Sequence, residues 1–357
     1  MNKNEPIVSI ITPIFNRKDL IKETHQSVIS QTYTSWEWII VDDGSEDNSW
    51  KIIQDFAQQD NRIKVIKRER IPKGAPTCRN IGLEVAKGEY VIFLDSDDLL
   101  ADFCLEQRVE AIKKEGNKYD FLVFPIRTFR QNLLDINHLQ LPSQYDDLEE
   151  FILWNTPWYT TAPIIKREKT IQWNEKLALY QDVDFNIRMI VAERTYKFIY
   201  AKPDVYWRYT EHNSISRSNL FTPQKLEARV FFLEGICEAL KKGDKLKKYD
   251  KAIYTLAERF IFDFISQNQY AYFKEILSLL VKYEIITTLE FYKLYIILPL
   301  IHNQLHYTSL PVLWKLSRKL YSITNQSIPI TDTKKIMRSK ELTDIKEYMK
   351  VYHQSKN

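Results

Sequence analysis

Tyr90-Val-Ile-Phe-Leu-Asp-Ser-Asp-Asp98 is the stretch whose reading decides the fold. Five apolar residues, rich in β-branched and aromatic types, run straight into three carboxylates. An unbroken apolar run of this length suits a strand buried on both faces of a parallel sheet. Carboxylates that follow it then lie at the carboxyl edge of the sheet, where open α/β folds bind ligands. Asp95 and Asp97, one residue apart, can share a divalent cation with a phosphorylated ligand, because a small hard ion uses one or two carboxylates together with phosphate oxygens. The plainer alternative is an acidic turn after a strand. A calcium-binding EF-hand fits worse, since Leu99 and Leu100 stand where that loop needs an oxygen ligand and then glycine.

Upstream, the same logic repeats. Ile7–Phe15 reads as a first strand ended by Pro13, and a helical stripe of Leu20, Ile21, Thr24, Val28 and Ile29 follows. Trp36–Val41 is a second strand that breaks into Asp42-Asp-Gly-Ser45, where Ser45 or Asp47 is placed to cap the next helix. Ile63–Ile66 gives a third strand. A polar loop, Lys73–Asn80, then leads into a short helix closed by Gly88. Strands alternating with helices at this spacing imply a parallel sheet built from crossover units. Downstream, a helix is expected near Asp102–Lys114 and strands over Tyr119–Arg130, Ala162–Ile171 and Tyr196–Tyr209, with a helix near Asp182–Glu193. From about Phe221 the strand pattern gives way to helical stripes such as Ile253, Leu256, Phe260 and Phe264. The expected organisation is therefore an α/β domain over residues 1–220 and a helical region over 221–357.

Composition narrows the class. The chain has 357 residues, is 44% hydrophobic and 27% charged, and carries 21 tyrosines but only seven glycines. Three widely separated cysteines, Cys78, Cys104 and Cys237, suit a reducing cytoplasm and give neither a disulfide framework nor a metal cluster. No signal peptide opens the chain, and the longest apolar region, near Ile285–Ile301, is interrupted by Glu290 and Lys293. The net charge of +4 is unevenly divided: residues 222–357 hold 22 Lys/Arg against 14 Asp/Glu. That split argues against a nucleic-acid binder. A basic tail suits an anionic membrane face or an anionic acceptor, with a solvated helical surface as the simpler alternative.

Neither G-x-G-x-x-G nor G-x-x-x-x-G-K-[ST] occurs, which argues against a dinucleotide dehydrogenase or a P-loop enzyme. The strand ends carry Thr12-Pro13, Asp42-Asp43 and Asp95-Ser96-Asp97 instead, all on one sheet edge. Near a nucleotide, one carboxylate can accept from a base N–H or ribose hydroxyls and another can hold the cation that neutralises a diphosphate. Asp43 suits the first role and Asp97 the second.

Taken in order, Val41-Asp-Asp-Gly-Ser45, Arg79-Asn80 before a small-residue helix, and Gly88-Glu-Tyr-Val-Ile-Phe-Leu-Asp-Ser-Asp-Asp98 resemble glycosyltransferase family 2 over roughly residues 5–220. The resemblance implies the GT-A fold, a Rossmann-like, mainly parallel sheet flanked by helices, with the helical C-terminal region as an appendage. It implies that a nucleobase lies between Pro13, Phe15 and Asp43, that Asp95 approaches the ribose and Asp97 a divalent metal (Mn²⁺ or Mg²⁺), and that Arg79 lies near the diphosphate. Tyr180-Gln-Asp-Val-Asp-Phe185 is similar to the family's Glu-Asp-x-x-Phe segment, with Gln181 where glutamate is commoner. Asp182 then matches the general base of inverting members, and Asp184 is its rival. His212 matches a histidine that completes the metal shell in some similar enzymes, and Arg208 is a further cation for phosphate. Trp154, Trp158 and Tyr159 fit either sugar platforms or core packing.

The resemblance implies an inverting transferase that moves a sugar from a nucleoside diphosphate, UDP above all, to a glycan or lipid-linked glycan in bacterial surface-polysaccharide synthesis. It would work in the cytoplasm, with peripheral membrane contact through the basic helices and with oligomerisation open. A catalytically silent sugar-nucleotide-binding protein of the same fold is the alternative from another class. A nucleotidyltransferase would call for a glycine-rich phosphate loop that Thr12-Pro-Ile-Phe-Asn-Arg17 is not.

Overall fold

The computed structural model describes residues 7–130, 138–140, 145–209 and 220–307. These divide into two compact units, one up to residue 218 and the other from 219.

In the first unit the chain runs through β1 (Val8–Ile14), α1 (Ile21–Ile29), β2 (Trp36–Asp42), α2 (Ser49–Gln59), β3 (Ile63–Lys67), α3 (Ala75–Val85), β4 (Tyr90–Phe93) and β5 (Leu99–Leu100). It continues through α4 (Cys104–Glu115), β6 (Phe121–Val123), β7 (Ile126–Phe129), β8 (His138–Gln140), α5 (Asp147–Ile152), β9 (Pro163–Lys166), α6 (Gln181–Val191), β10 (Tyr196–Phe198) and β11 (Val205–Arg208). Among the described residues a seven-stranded sheet has the order β10-β6-β9-β4-β1-β2-β3, and a four-stranded sheet the order β5-β11-β7-β8. The larger sheet is parallel except for β9, which runs antiparallel to both β4 and β6. Every residue of β1, β2 and β4 is buried, as continuous apolar runs in the middle of a parallel sheet require.

Several sequence expectations are corrected in detail. Pro13 lies within β1 rather than ending it. The Ile11 carbonyl accepts from Leu94 and the Ile14 carbonyl from Asp43, so by alternation the Pro13 nitrogen faces the β4 side. The β1–β4 pairing stops at Ile11–Phe93, so no ladder bond is lost there. α3 begins at Ala75 with Pro76 in its first turn, which takes Arg79 and Asn80 from the expected loop into the helix. The long strands expected over Tyr119–Arg130 and Tyr196–Tyr209 each divide in two, with β6 and β10 in the larger sheet and β7 and β11 in the smaller one. The break after β6 falls at Phe124-Pro125, where the missing proline N–H interrupts a ladder.

Gly88 does not close α3, which ends on extended Ala86. It is the point where the chain crosses β1: a Cβ there would sit 2.6 Å from the Ser9 nitrogen and 2.7 Å from the Ile7 oxygen. Because both obstacles are backbone, Gly88→Ala is expected to lower stability by about 1–3 kcal/mol, the usual range for overpacking. A urea midpoint equal to that of the parent protein would contradict this.

The second unit holds α7 (Pro223–Lys242), α8 (Asp250–Ser266), α9 (Tyr270–Lys282) and α10 (Thr288–Tyr307). Its core is aromatic, with Phe232, Phe260, Phe264 and Phe273 fully buried. Arg229, also buried, pairs with Asp263 across α7 and α8 at 3.3 Å. Among the described residues, no helix is long and apolar enough to cross a membrane.

Candidate functional site

Because β1, β2 and β4 are parallel neighbours, their carboxyl ends place Phe15–Arg17, Asp43 and Leu94–Asp98 on one edge. The paired aspartates after β2 divide their work. Asp42 closes the turn, its carboxylate accepting from the N–H groups of Gly44 and Ser45 at 3.1 Å. Asp43 is buried and accepts from Arg68 Nε at 2.5 Å and from the Gly74 N–H at 3.1 Å. The Cys78 thiol lies 3.6 Å from Asp43, and burial together with that carboxylate pushes it upward, so it stays protonated.

The other nucleotide candidates fall into two groups. Phe15 is partly exposed, with Lys73 Nζ 3.6 Å above its ring. Thr12 and Pro13 are buried, and the Thr12 hydroxyl accepts the Trp38 indole N–H at 2.9 Å. Ser96 is buried too, and its carbonyl accepts from Thr24 at 3.1 Å.

Arg79 joins the two halves of the site. It stands on α3 over the face of Trp173, 4.3 Å from the ring centroid, and donates to Asp95 at 2.5 Å and to Gln181 at 3.5 Å. Trp173 in turn stacks on Phe185 of α6 at 4.2 Å, and the Asn80 amide bonds both its N–H and its carbonyl. A rigid floor thus fixes the guanidinium between the end of β4 and the start of α6.

Asp97 faces Arg17, whose Nε is 3.7 Å away. Burial first, then the Asp95 charge, raise its carboxyl above the ordinary range. Asp98 is of another kind. Fully enclosed, it accepts from the Arg208 N–H at 2.9 Å and the Thr161 hydroxyl at 3.4 Å, and burial drives its carboxyl well upward. The Arg208 guanidinium bonds the Asp97 carbonyl at 2.8 Å and Glu23 at 2.8 Å, so it clamps the aspartate turn.

Asp182 lies in the first turn of α6, after Tyr180 in the left-handed region. Burial raises its carboxyl, against the Val183 N–H and the Arg79 charge, which lower it. Its rival Asp184 is 1% exposed and tied to Arg188 at 2.7 Å, so it faces the protein interior. His212 lies outside the described residues. Among the described residues no three His, Cys, Asp or Glu side chains gather into a metal site. Asp95 and Asp97 still fit a hard divalent ion, which needs only such a pair when phosphate oxygens complete the shell.

Arg17, Arg68 and Trp173 were not singled out from the sequence. Arg68 was within reach, since it directly follows β3, whose Lys67 pairs in register with Asp42.

The α/β unit that carries this edge has the GT-A fold. The crystal structure of S. aureus TarS 1–349 in complex with UDP-GlcNAc has this fold, superposing with a TM-score of 0.61 at 20% identity over 77% of this chain and 80% of that one. Residues 9–175 match the model of glycosyl transferase family 2. TuaG of Bacillus subtilis, a glycosyltransferase named for teichuronic acid biosynthesis, is 37% identical over 173 residues, which are 48% of this chain and 67% of that protein. WfaP of Escherichia coli, named as a UDP-Glc:α-D-GlcNAc-diphosphoundecaprenol β-1,3-glucosyltransferase, is 42% identical over 109 residues, 30% of this chain and 42% of WfaP. The chain belongs to glycosyltransferase family 2.

Proposed function

We propose that the protein is a metal-dependent inverting glycosyltransferase, with residues 1–220 as its catalytic domain. It moves a sugar from UDP to a hydroxyl of a glycan or lipid-linked glycan in surface-polysaccharide synthesis. The observation that carries this reading is the Arg79 bridge, which sets a candidate donor carboxylate, Asp95, and the N-terminal turn bearing Asp182 on one guanidinium. The chemistry printed in WfaP's name, a UDP-sugar and a lipid-diphosphate acceptor, supports the choice of substrates.

In this reading Asp43, braced by Arg68, accepts from the nucleobase beside Pro13 and Phe15. Asp95 accepts from the ribose, and Thr12 and Ser96 shape the pocket from beneath. Asp97, with His212, would hold a divalent cation that neutralises the departing diphosphate. Asp182 takes the proton from the acceptor hydroxyl as its oxygen bonds C1 of the sugar from the face opposite the diphosphate. The C1–O bond to the diphosphate breaks, UDP leaves with its charge balanced by Arg79, and inversion follows from the geometry of attack. The proton passes from Asp182 to water. The exposed lysines at 241, 242, 247 and 248 would rest on anionic lipid at the cytoplasmic face, and self-association is compatible with this arrangement.

The test is UDP release from a panel of sugar nucleotides, with Mn²⁺ and with chelator. One donor should be turned over only when metal is present, and candidate acceptors should accelerate that turnover. Tight UDP binding without turnover under any acceptor would favour a silent binding module instead. Asp97→Asn is expected to leave UDP affinity indifferent to Mn²⁺. An unchanged metal effect in that variant, read by titration calorimetry, would remove Asp97 from the metal shell.

A further inference from the structure

We propose that two stacked ring pairs, Trp154 with Tyr180 and Tyr159 with Trp207, form the acceptor site and take pyranose rings of a neutral glycan. The inference rests on the transferase reading and deepens it.

Each pair takes one ring from the short segment 154–159 and the other from a distant element, Tyr180 at the start of α6 and Trp207 on β11. Trp154 and Tyr180 stack with centroids 4.7 Å apart, and Tyr159 and Trp207 with centroids 4.8 Å apart and planes within 10°. All four side chains are half-buried, so each keeps surface for a ligand. Trp158, between them in sequence, has a different role. It is 3% exposed, packs edge-on against Phe151 and donates its indole N–H to Asn186 at 2.8 Å. The Asn186 amide also bonds the Asp182 carbonyl at 2.9 Å, so Trp158 anchors the segment to the start of α6.

Each pair draws its second ring from an element that also carries a candidate reaction-centre residue. Tyr180 lies two residues before Asp182. Trp207 precedes Arg208 on β11, so its side chain leaves the opposite face of the strand from the guanidinium that holds the Asp97 carbonyl. Both residues of the first pair take positive φ, 65° at Trp154 and 62° at Tyr180, and nearby Thr156 has φ 39°. Bulky residues enter this region at a cost, and such outliers collect at ligand clamps. The buried rings of Phe93, Trp173 and Phe185, by contrast, pack as ordinary core.

The composition of the segment selects the ligand class. Residues 151–165 contain no charged side chain and supply Asn155, Thr156 and Thr160 next to the rings in sequence. A polyol phosphate or lipid phosphate would call for cations here. A pyranose presents an apolar C–H face to a ring and hydroxyls at its edge, which suits aromatic side chains flanked by amides and hydroxyls.

The test is saturation-transfer NMR on the full chain with UDP and Mn²⁺, using octyl α-D-N-acetylglucosaminide below its micelle concentration and, separately, sn-glycerol 3-phosphate. The glycoside's ring protons should receive saturation in the wild type. Trp154→Leu and Tyr159→Leu should each weaken the glycoside by about tenfold, the worth of one aromatic contact, while UDP affinity stays unchanged. Trp154→Phe, which keeps a ring, should restore most of the contact and guards against a folding defect. Saturation confined to the octyl chain, glycoside affinity unmoved by both leucine variants, or displacement by glycerol phosphate would overturn the proposal. A wild type that takes the glycoside but binds no nucleotide would leave the sugar site standing and sink the transferase reading.

Discussion

Asp182→Asn is expected to lower sugar transfer by about 10²–10⁴-fold while leaving UDP-sugar affinity close to that of the parent. Asparagine keeps the size and the polar edge of aspartate, so the first turn of α6 and its bond to Asn186 persist. What it loses is a base. Asp182 is suited to that task because burial raises its carboxyl above the ordinary range. A more basic carboxylate accepts a hydroxyl proton more readily, but it must be ionised to do so. The rate should therefore decline as pH falls through this raised value, with its acid limb above that of an exposed aspartate. In Asp182→Asn the limb should vanish from whatever activity remains. A rate within a few-fold of the parent, or an acid limb retained in the variant, would assign the base elsewhere; Asp184, locked to Arg188, is poorly placed to replace it.

The largest stability effect is expected at Arg108. This residue of α4 is fully buried and meets Asp204 through two bonds of 2.8 Å, with a third donor on the Thr161 carbonyl at 3.0 Å. Asp204 is fully buried as well. Taking one ion from such a pair strands the other without water, which costs about 3–5 kcal/mol. Arg108→Met should lose that much in urea unfolding. The double variant Arg108→Met/Asp204→Leu should recover most of it, because two apolar groups of similar volume leave no charge unsatisfied. Equal losses in the single and double variants would show that volume, not charge, governs the position.

The parts of the fold that could be read in the sequence were those with long apolar runs. β1, β2 and β4 each sit in the middle of the sheet, so nothing polar interrupts them, and their ends point to the carboxylate edge. The smaller sheet escaped notice because β5 has two residues and β7 and β11 four each, too few to carry a period. Asp43, Asp95 and Asp97 lie at the strand ends where the pattern put them, whereas Arg79, expected in a loop, stands in α3; the roles of all four rest on the experiments above. Arg17 and Trp173 were hidden for a physical reason. Arg17 meets Asp97 from 80 residues away and Trp173 meets Arg79 from 94, and no local spacing encodes such encounters. Thr12 shows the converse: its place on the edge was legible, but not that its hydroxyl accepts from Trp38.

The clamp around the aspartate turn bears on how this chain can be recombined with its relatives. Thr24 bonds the carbonyls of Ser96 and Asp98, Arg208 bonds Asp97 and Asp98, and Glu23 holds Arg208. Three short segments that are far apart along the chain thus behave as a single inherited part. A chimera spliced between β4 and α4 would import half of that part and leave a buried carboxylate facing a stranger's side chains. Crossovers that carry Glu23, Thr24, Asp98 and Arg208 from one parent are the ones that keep the turn intact.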